Sequence, residues 1–328
     1  MSSDIAVVGA GMAGLSCATR LTALGHRVEI FEKSRGVSGR MSTRRTATWE
    51  CDHGAQYFTA RNSDFYAEVS RWEQLGVAAR WNPSVRVIGA TPRGRSNAGT
   101  DSLTTTRFVG TPRMTSPAQH LASTLSVTTN VRVASIRPDQ RKWQLLDIEG
   151  NALGGPVDVV VFAIPSPQIP TIVTHHPPDW LGELPAIAML PCWAVMAEVA
   201  PTGAPEFDAA FINEGPLSWI ANNASKPGRG PAAMWSLHAS PEWTQEHLLA
   251  PAEEVIPVLT KAFEAHAGLR VLNATAHRWL YSLPKTAHDI PCLWDPRLRL
   301  AACGDWLLGG KVQGAWLSGR ACAERIAA

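Results

Sequence analysis

Apolar positions open the chain in a short unbroken run, residues 5–8 (IAVV), that stops at Gly9. A wholly apolar run of this length, closed by glycine, predicts a strand buried on both faces. Apolar residues then recur with helical spacing at Cys17, Leu21 and Leu24, and Gly25 follows as a stop. Residues 27–31 predict a second strand that ends at Glu32. Phe65, Val69 and Trp72 predict a helix over 62–75, with Asn62 or Ser63 as its cap. Residues 76–108 alternate (VRVIG, TTTRFVG) and predict strands on either side of a polar loop, TPRGRSNAGTD. Ser116-Pro117 begins a short helix, AQHLASTL, and VTTNVRVASI continues as a strand. Residues 142–148 and 157–163 are expected to pair as strands around EGN, and Pro165 and Pro167 end that stretch. From 166 to 270 prolines become frequent. Alternating stretches (CWAVMAEVA, GPLSWIANN, AAMWSLHA) and one helix over 252–266 predict an antiparallel sheet with helices. The final segment places an apolar strand before Gly304-Asp305, then a glycine loop, then a helix from Val312.

Chemistry enters with the first turn. Gly9, Gly11 and Gly14 form G-x-G-x-x-G between a strand and a helix, and the next strand ends on an acid. That context predicts dinucleotide binding. Gly9 suits the tight turn, Gly11 lets the backbone approach a pyrophosphate, and Gly14 lets helix and strand pack closely. The intervening Ala10, Met12 and Ala13 bring their backbone to the same place. The helix N-terminus favours the phosphates, and Glu32 is placed to accept hydrogen bonds from a ribose diol.

Composition narrows the class. The chain has 328 residues, 45% hydrophobic and 18% charged, which suits a globular protein of two domains or one large α/β unit. A net charge of +2 makes no case for nucleic acid. Six cysteines lie scattered with no CxxC, so neither metal nor disulfides are expected, and a reducing, cytoplasmic setting fits. Asp4 before the first apolar run argues against a secretory leader, and no apolar run is long enough to predict a membrane span. Trp193, Trp219 and Trp235, on predicted strands, are expected mostly in the core. His53 is expected to be a structural hydrogen-bonder, and His238, His247 and His266 lack metal-like spacing.

Four stretches resemble the flavin amine oxidase and protoporphyrinogen oxidase superfamily. Glu32 followed by Lys33, Arg35-Gly36 and Gly39-Arg40-Met41 resembles the superfamily's second glycine motif, with a wider gap between its glycines. DHGAQYFTAR, from Asp52 to Arg61, resembles the strand and turn that crosses beside the flavin ring. The helix after Ser116 and the strand with V-x-x-I resemble a segment whose backbone contacts adenine, here at Val133. Gly304-Asp305 with the helix that follows resembles the segment aimed at the flavin's pyrimidine end. The resemblance implies non-covalently bound FAD. It implies an α/β fold: a Rossmann-like, doubly wound FAD-binding domain (1–75, 110–165, 275–328) and an inserted α+β substrate domain on an antiparallel sheet (76–109, 166–274). Arg40 is expected to reach a phosphate, Gln56 and Tyr57 to face flavin or substrate, and Asp305 to bind ribityl or pyrophosphate-side hydroxyls. Backbone N–H groups at Val312, Gln313 and Ala315 are expected near N1 and O2 of the flavin.

Within the superfamily, DHGAQYFTAR and GDWL…GAWLSG look most like the bacterial renalase branch. That resemblance implies oxidation of 2- and 6-dihydro isomers of NAD(P)H to NAD(P)+, with hydride passing to flavin N5 and O2 becoming H2O2. A dihydropyridine turns aromatic on losing hydride, so no catalytic side chain is assigned. Tyr57, Phe58, Thr59, Ala60 and Arg61 are the expected substrate contacts, joined by Arg95, Ser96 and Asn97 from the polar loop. A small-amine oxidase remains an alternative, as does a desaturase, although the balanced charge and lack of a basic amphipathic insertion argue against membrane contact. A non-catalytic flavin-binding or redox-sensing protein remains a further one.

Overall fold

The computed structural model describes residues 2–90, 105–201 and 206–328. The chain divides into two compact units, residues 1–40, 117–189 and 283–328 in the first and 41–116 and 190–282 in the second.

The first unit is built on a six-stranded sheet. Its strands lie in the order Leu293–Asp295, Leu300–Ala302, Val159–Phe162, Asp4–Val8, Arg27–Glu32 and Ser126–Thr129. Every neighbouring pair is parallel except the first. Ile5, Ala6, Val7 and Val8 are all buried, which is why the opening run lacks polar alternation. Ala6, Val8, Val160, Phe162, Leu300 and Ala302 share one core with Trp143 and Leu145. The helices Met12–Ala23 and Val312–Ala327 pack on each other, and the Ser16 hydroxyl donates to the Trp316 carbonyl at 2.8 Å.

One strand pairing differs from expectation. Lys142–Leu146 does form a hairpin, but with Ala152–Val157 on one side and Ser135–Asp139 on the other. Val159–Phe162 instead lies at the centre of the parallel sheet beside Asp4–Val8. Its four residues are all buried, and a small three-stranded sheet offers no such setting.

The second unit carries the antiparallel sheet. The order is Val271–Pro284, Met189–Val199, Met234–Ala239, Leu217–Asn222, Ala209–Ile212 and Val85–Ile88, the last pairing parallel to its neighbour. The helix Ala252–Ala267 sets Val255, Leu259 and Phe263 against Trp235, Leu237 and Ile220. Trp193 belongs to the same core, as expected of it. The helix Ser63–Gln74 starts at Asn62, whose side-chain oxygen accepts from the N–H groups of Asp64 (3.0 Å) and Phe65 (3.1 Å).

The division places 41–75, 110–116 and 275–282, assigned from the sequence to the first domain, in the second unit, and 166–189 in the first. The cause lies in the strands. Glu50–Asp52 and Arg107–Gly110 find their partners within 41–116, at Thr43–Arg45 and Ala78–Trp81. Trp180, Leu184 and Ile187 bury against the core of the parallel sheet. Among the described residues no helix is long and apolar enough to cross a membrane.

Candidate functional site

The glycine turn has the geometry its spacing predicts. Gly9 adopts φ +105°, and a Cβ there would sit 2.6 Å from the Ala163 carbonyl oxygen. A Cβ on Gly14 would strike the Gly9 carbonyl, whereas one on Gly11 would stand in open space. The helix that begins after Gly11 has no side-chain cap and no acid in its first turn. Its N-terminal N–H groups are therefore left to backbone, water or ligand. The Glu32 carboxylate accepts from the Ala10 N–H and the Ser34 N–H, each at 2.8 Å. It is thereby fixed at the C-terminal end of its strand, against the glycine turn. The second glycine loop lies on the first: the Ser38 N–H donates to the Ala10 carbonyl at 2.9 Å, and Gly39 approaches the Gly11 backbone. Lys33 is exposed and donates to Gln168 at 3.4 Å. Val133 is buried in the loop that the Val131 N–H ties to the Glu32 carbonyl at 3.0 Å.

Two residues expected to serve the ligand separately are joined. Arg40 grips Asp305 with both terminal nitrogens, Nη1 to Oδ2 at 3.0 Å and Nη2 to Oδ1. This bidentate pair links the N-terminal glycine loop to the Gly304-Asp305 turn across most of the sequence. The Gly304 N–H donates to the Ser318 hydroxyl at 3.0 Å, which fixes the turn to the last helix. That helix starts after Lys311, again without a side-chain cap or an acid in its first turn. Val312 and Gln313 occupy its first two positions, and Ala315 lies buried one turn in.

The second unit holds a buried ionic network. Asp52 Oδ2 accepts from Lys226 Nζ at 3.1 Å and from Arg229 Nη2 at 2.6 Å, and all three side chains are fully buried. Oδ1 accepts from the Thr43 hydroxyl at 2.6 Å. Arg229 also donates to the carbonyls of Gly110 (2.8 Å) and Pro112 (2.7 Å). Burial pushes the Asp52 carboxyl up, but the Lys226 and Arg229 charges and the hydrogen bonds outweigh it and hold it down at about 2. Gln56, expected to face flavin or substrate, gives its amide to the Asp52 and Gly54 carbonyls and accepts from Lys226 at 3.0 Å.

Beside this network three histidines gather. His53 stacks on Trp279 and meets His277 edge-on at 5.0 Å between ring centres, and the Trp279 indole donates to the His53 carbonyl at 2.9 Å. Burial drives the His53 imidazole down to about 3, with His277, Arg44 and His238 adding to it. Burial and then the Lys226 charge bring His238 to about 4. Both rings are neutral at neutral pH, and His53 Nδ1 and His238 Nε2 have no hydrogen-bond partner among the described residues.

Tyr57 lies between the rings of Trp81 (6.2 Å) and Trp219 (5.6 Å), and the Arg107 guanidinium stands over its face at 5.1 Å. Phe58, expected to touch substrate, is instead buried against Phe65, Trp72 and Phe108, where it packs the core. Phe58 bridges to Phe108, their backbone N–H groups and carbonyls exchanging 2.8 Å hydrogen bonds, which turns its ring inward while the neighbouring Tyr57 ring meets Trp81 and Trp219. Thr59 and Ala60 are half-buried, Arg61 is exposed and Met41 is buried. Arg95, Ser96 and Asn97 lie outside the described residues. Sequence reasoning missed Lys226, Arg229 and His277. The one available signal was KPGRG at 226–230, a turn that carries two cations.

A family model for NAD(P)-binding Rossmann-like domains matches residues 7–71, and one for flavin-containing amine oxidoreductases matches residues 95–327. The 4,4'-diapophytoene desaturase (4,4'-diaponeurosporene-forming) of Staphylococcus haemolyticus (strain JCSC1435) is 66% identical over 38 residues, 12% of this chain and 8% of that protein. The L-amino-acid oxidase of Siganus canaliculatus is 35% identical over 86 residues, 26% of this chain and 15% of that protein. These alignments span only a small part of the relatives' own length. A proposed protoporphyrinogen oxidase from Exiguobacterium sp. 255-15 superimposes with a TM-score of 0.77 at 12% identity, over 100% of this chain and 99% of the other. A putrescine oxidase triple mutant gives 0.70 at 13% identity, over 99% and 98%. At such identities the likeness shows the fold.

Proposed function

The chain belongs to the flavin-containing amine oxidoreductase family, whose members carry a flavin, and from that premise we propose that it is an FAD-dependent oxidase of isomeric dihydronicotinamides. The observation that carries the FAD reading is the uncapped helix start at Gly11 and Met12, with open space above Gly11 and the Glu32 carboxylate held beside the turn. These features fit a pyrophosphate with a ribose next to it. Backbone N–H groups of the turn would hold the phosphates and Glu32 the adenosine ribose. The Arg40–Asp305 pair would fix the two loops around the cofactor. The second uncapped helix start, at Val312, would favour negative charge on the pyrimidine side. Non-covalent attachment agrees with the sequence before that helix, AACGDWLLGGK, which has no S-G-G-C-like cysteine.

Bound there, the flavin would supply a hydride acceptor at N5 and the electrons that reduce O2 to H2O2. For a dihydropyridine the chain's own task is to orient the ring and to exclude water. The groups we propose for this are the Tyr57, Trp81 and Trp219 rings and the neutral His53. Asp52 is engaged by both Lys226 and Arg229 and so offers no free base, which agrees with a reaction that removes no proton from carbon. The aromatic set would also suit a small amine, which makes amine oxidation the second reading.

The deciding experiment is anaerobic stopped-flow of the yellow protein with 2- and 6-dihydro-NAD, NADH and a panel of amines. Rapid flavin bleaching by the isomers alone is expected. Bleaching by an amine with the isomers inert would replace the substrate class and keep the cofactor. No bleaching by any of them would leave a flavin-binding role.

A further inference from the structure

Four of the six cysteines, far apart in the sequence, meet in the first unit. Cys17 lies on the helix Met12–Ala23, Cys303 directly after the strand Leu300–Ala302, and Cys322 on the helix Val312–Ala327. Their sulfur atoms all lie within 4.8 Å of one another, and all three residues are fully buried. Cys292, half-buried just before the strand Leu293–Asp295, adjoins Cys322. The two helices approach so closely that a Cβ on Gly319 would strike the Ala13 carbonyl and come within 2.9 Å of the Cys17 nitrogen. The sulfurs are therefore carried by separate rigid elements and converge on one point.

We propose that these thiols form a binding site for one thiophilic divalent cation of the Zn2+ type, with Cys17, Cys303 and Cys322 as three ligands and Cys292 as the fourth. A tetrahedral Zn–S distance of about 2.3 Å sets sulfurs about 3.8 Å apart, so the triad needs to close by no more than about 1 Å. Sulfur ligands alone select a soft ion, and four of them suit a closed structural site. On binding, each coordinating thiol gives its proton to solvent and its sulfur lone pair to the metal. Cys292 is also the exposed side of the cluster and hence the route of entry. The remaining cysteines, Cys51 and Cys192, are buried singly in the second unit and serve as internal controls.

The test is an anaerobic titration of the reduced, chelator-treated full-length protein with Co2+. Thiolate–cobalt absorption is followed in the red, beyond the flavin bands, and Zn2+ is then added. Saturation at one equivalent and displacement by Zn2+ are expected. C303S and C322S should each weaken binding at least about tenfold, while C51S and C192S leave it unchanged. A readout free of variants is alkylation of the native protein followed by peptide mapping. Zn2+ should suppress modification of Cys292 at least about tenfold. Absence of the red absorption at stoichiometric Co2+, its persistence in the C303S/C322S double variant, or equal alkylation of Cys292 with and without Zn2+ would each overturn the site.

Discussion

The two units hold their polar groups in opposite ways. The first presents backbone: two helix starts without side-chain caps, glycines that keep space clear, and a carboxylate fixed by neighbouring N–H groups. The second pairs its charges internally, with one carboxylate, Asp52, held between two cations, Lys226 and Arg229, all three fully buried. Polar groups at the surface of a turn can be altered without opening the core, whereas charges sealed in the interior cannot. Damage should therefore register as lost ligand in the first and as lost fold in the second.

The largest effect is expected at Asp52. Replacement by asparagine leaves two buried cations without their counter-ion, and denaturant unfolding should show a loss of about 3–5 kcal/mol. An intact midpoint in D52N would dissolve the contrast. Gly14→Ala comes next, because its Cβ meets backbone: a loss of about 1–3 kcal/mol together with loss of bound flavin. Gly11→Ala sharpens the point, since its Cβ meets no protein atom. Thermal melting of the apoprotein should stay near that of the wild type while flavin content after dialysis falls about tenfold.

Acid offers the third test. His53 is held at about 3 in the folded protein against 6.5 for an ordinary imidazole, so the unfolded chain takes up a proton that the native chain refuses. Its contribution is complete above the unfolded value and is lost as pH falls from 6.5 toward 3. At about pH 5 the loss should be about 2 kcal/mol, and H53Q should flatten that part of the stability profile. Asp52 acts in a lower window, between 3.8 and about 2, where its depressed carboxyl finally takes a proton. The smallest effect belongs to a site outside both networks. Asn62→Ala removes a helix cap and should cost about 1 kcal/mol by chemical denaturation, with flavin content unchanged.

Legibility in the sequence follows the same division. Gly9, Gly11, Gly14 and Glu32 act within one strand–turn–helix–strand, so their spacing encodes their roles. Asp52 meets Lys226 and Arg229 across more than 170 positions, and no local pattern announces such a partner. The run at 159–162 was plainly a strand, yet its neighbours on the sheet begin at residues 4 and 300, so proximity in sequence suggested the wrong partner. The resemblance over DHGAQYFTAR put Tyr57 and Phe58 together as contacts without saying which one faced the core. The scattered cysteines were legible only as scattered, since packing of the first and last helices alone brings them together.

The strand order of the parallel sheet also bears on synthesis. Asp4–Val8 leaves the ribosome some 150 residues before its neighbour Val159–Phe162, and the next strand, Leu300–Ala302, follows later still. The helix Met12–Ala23 waits equally long for Val312–Ala327. The residues of the second unit have all emerged by 282. A translating chain thus completes the later-numbered unit while the earlier one is still open. During that interval the apolar face of the opening helix is the surface a nascent-chain chaperone would find.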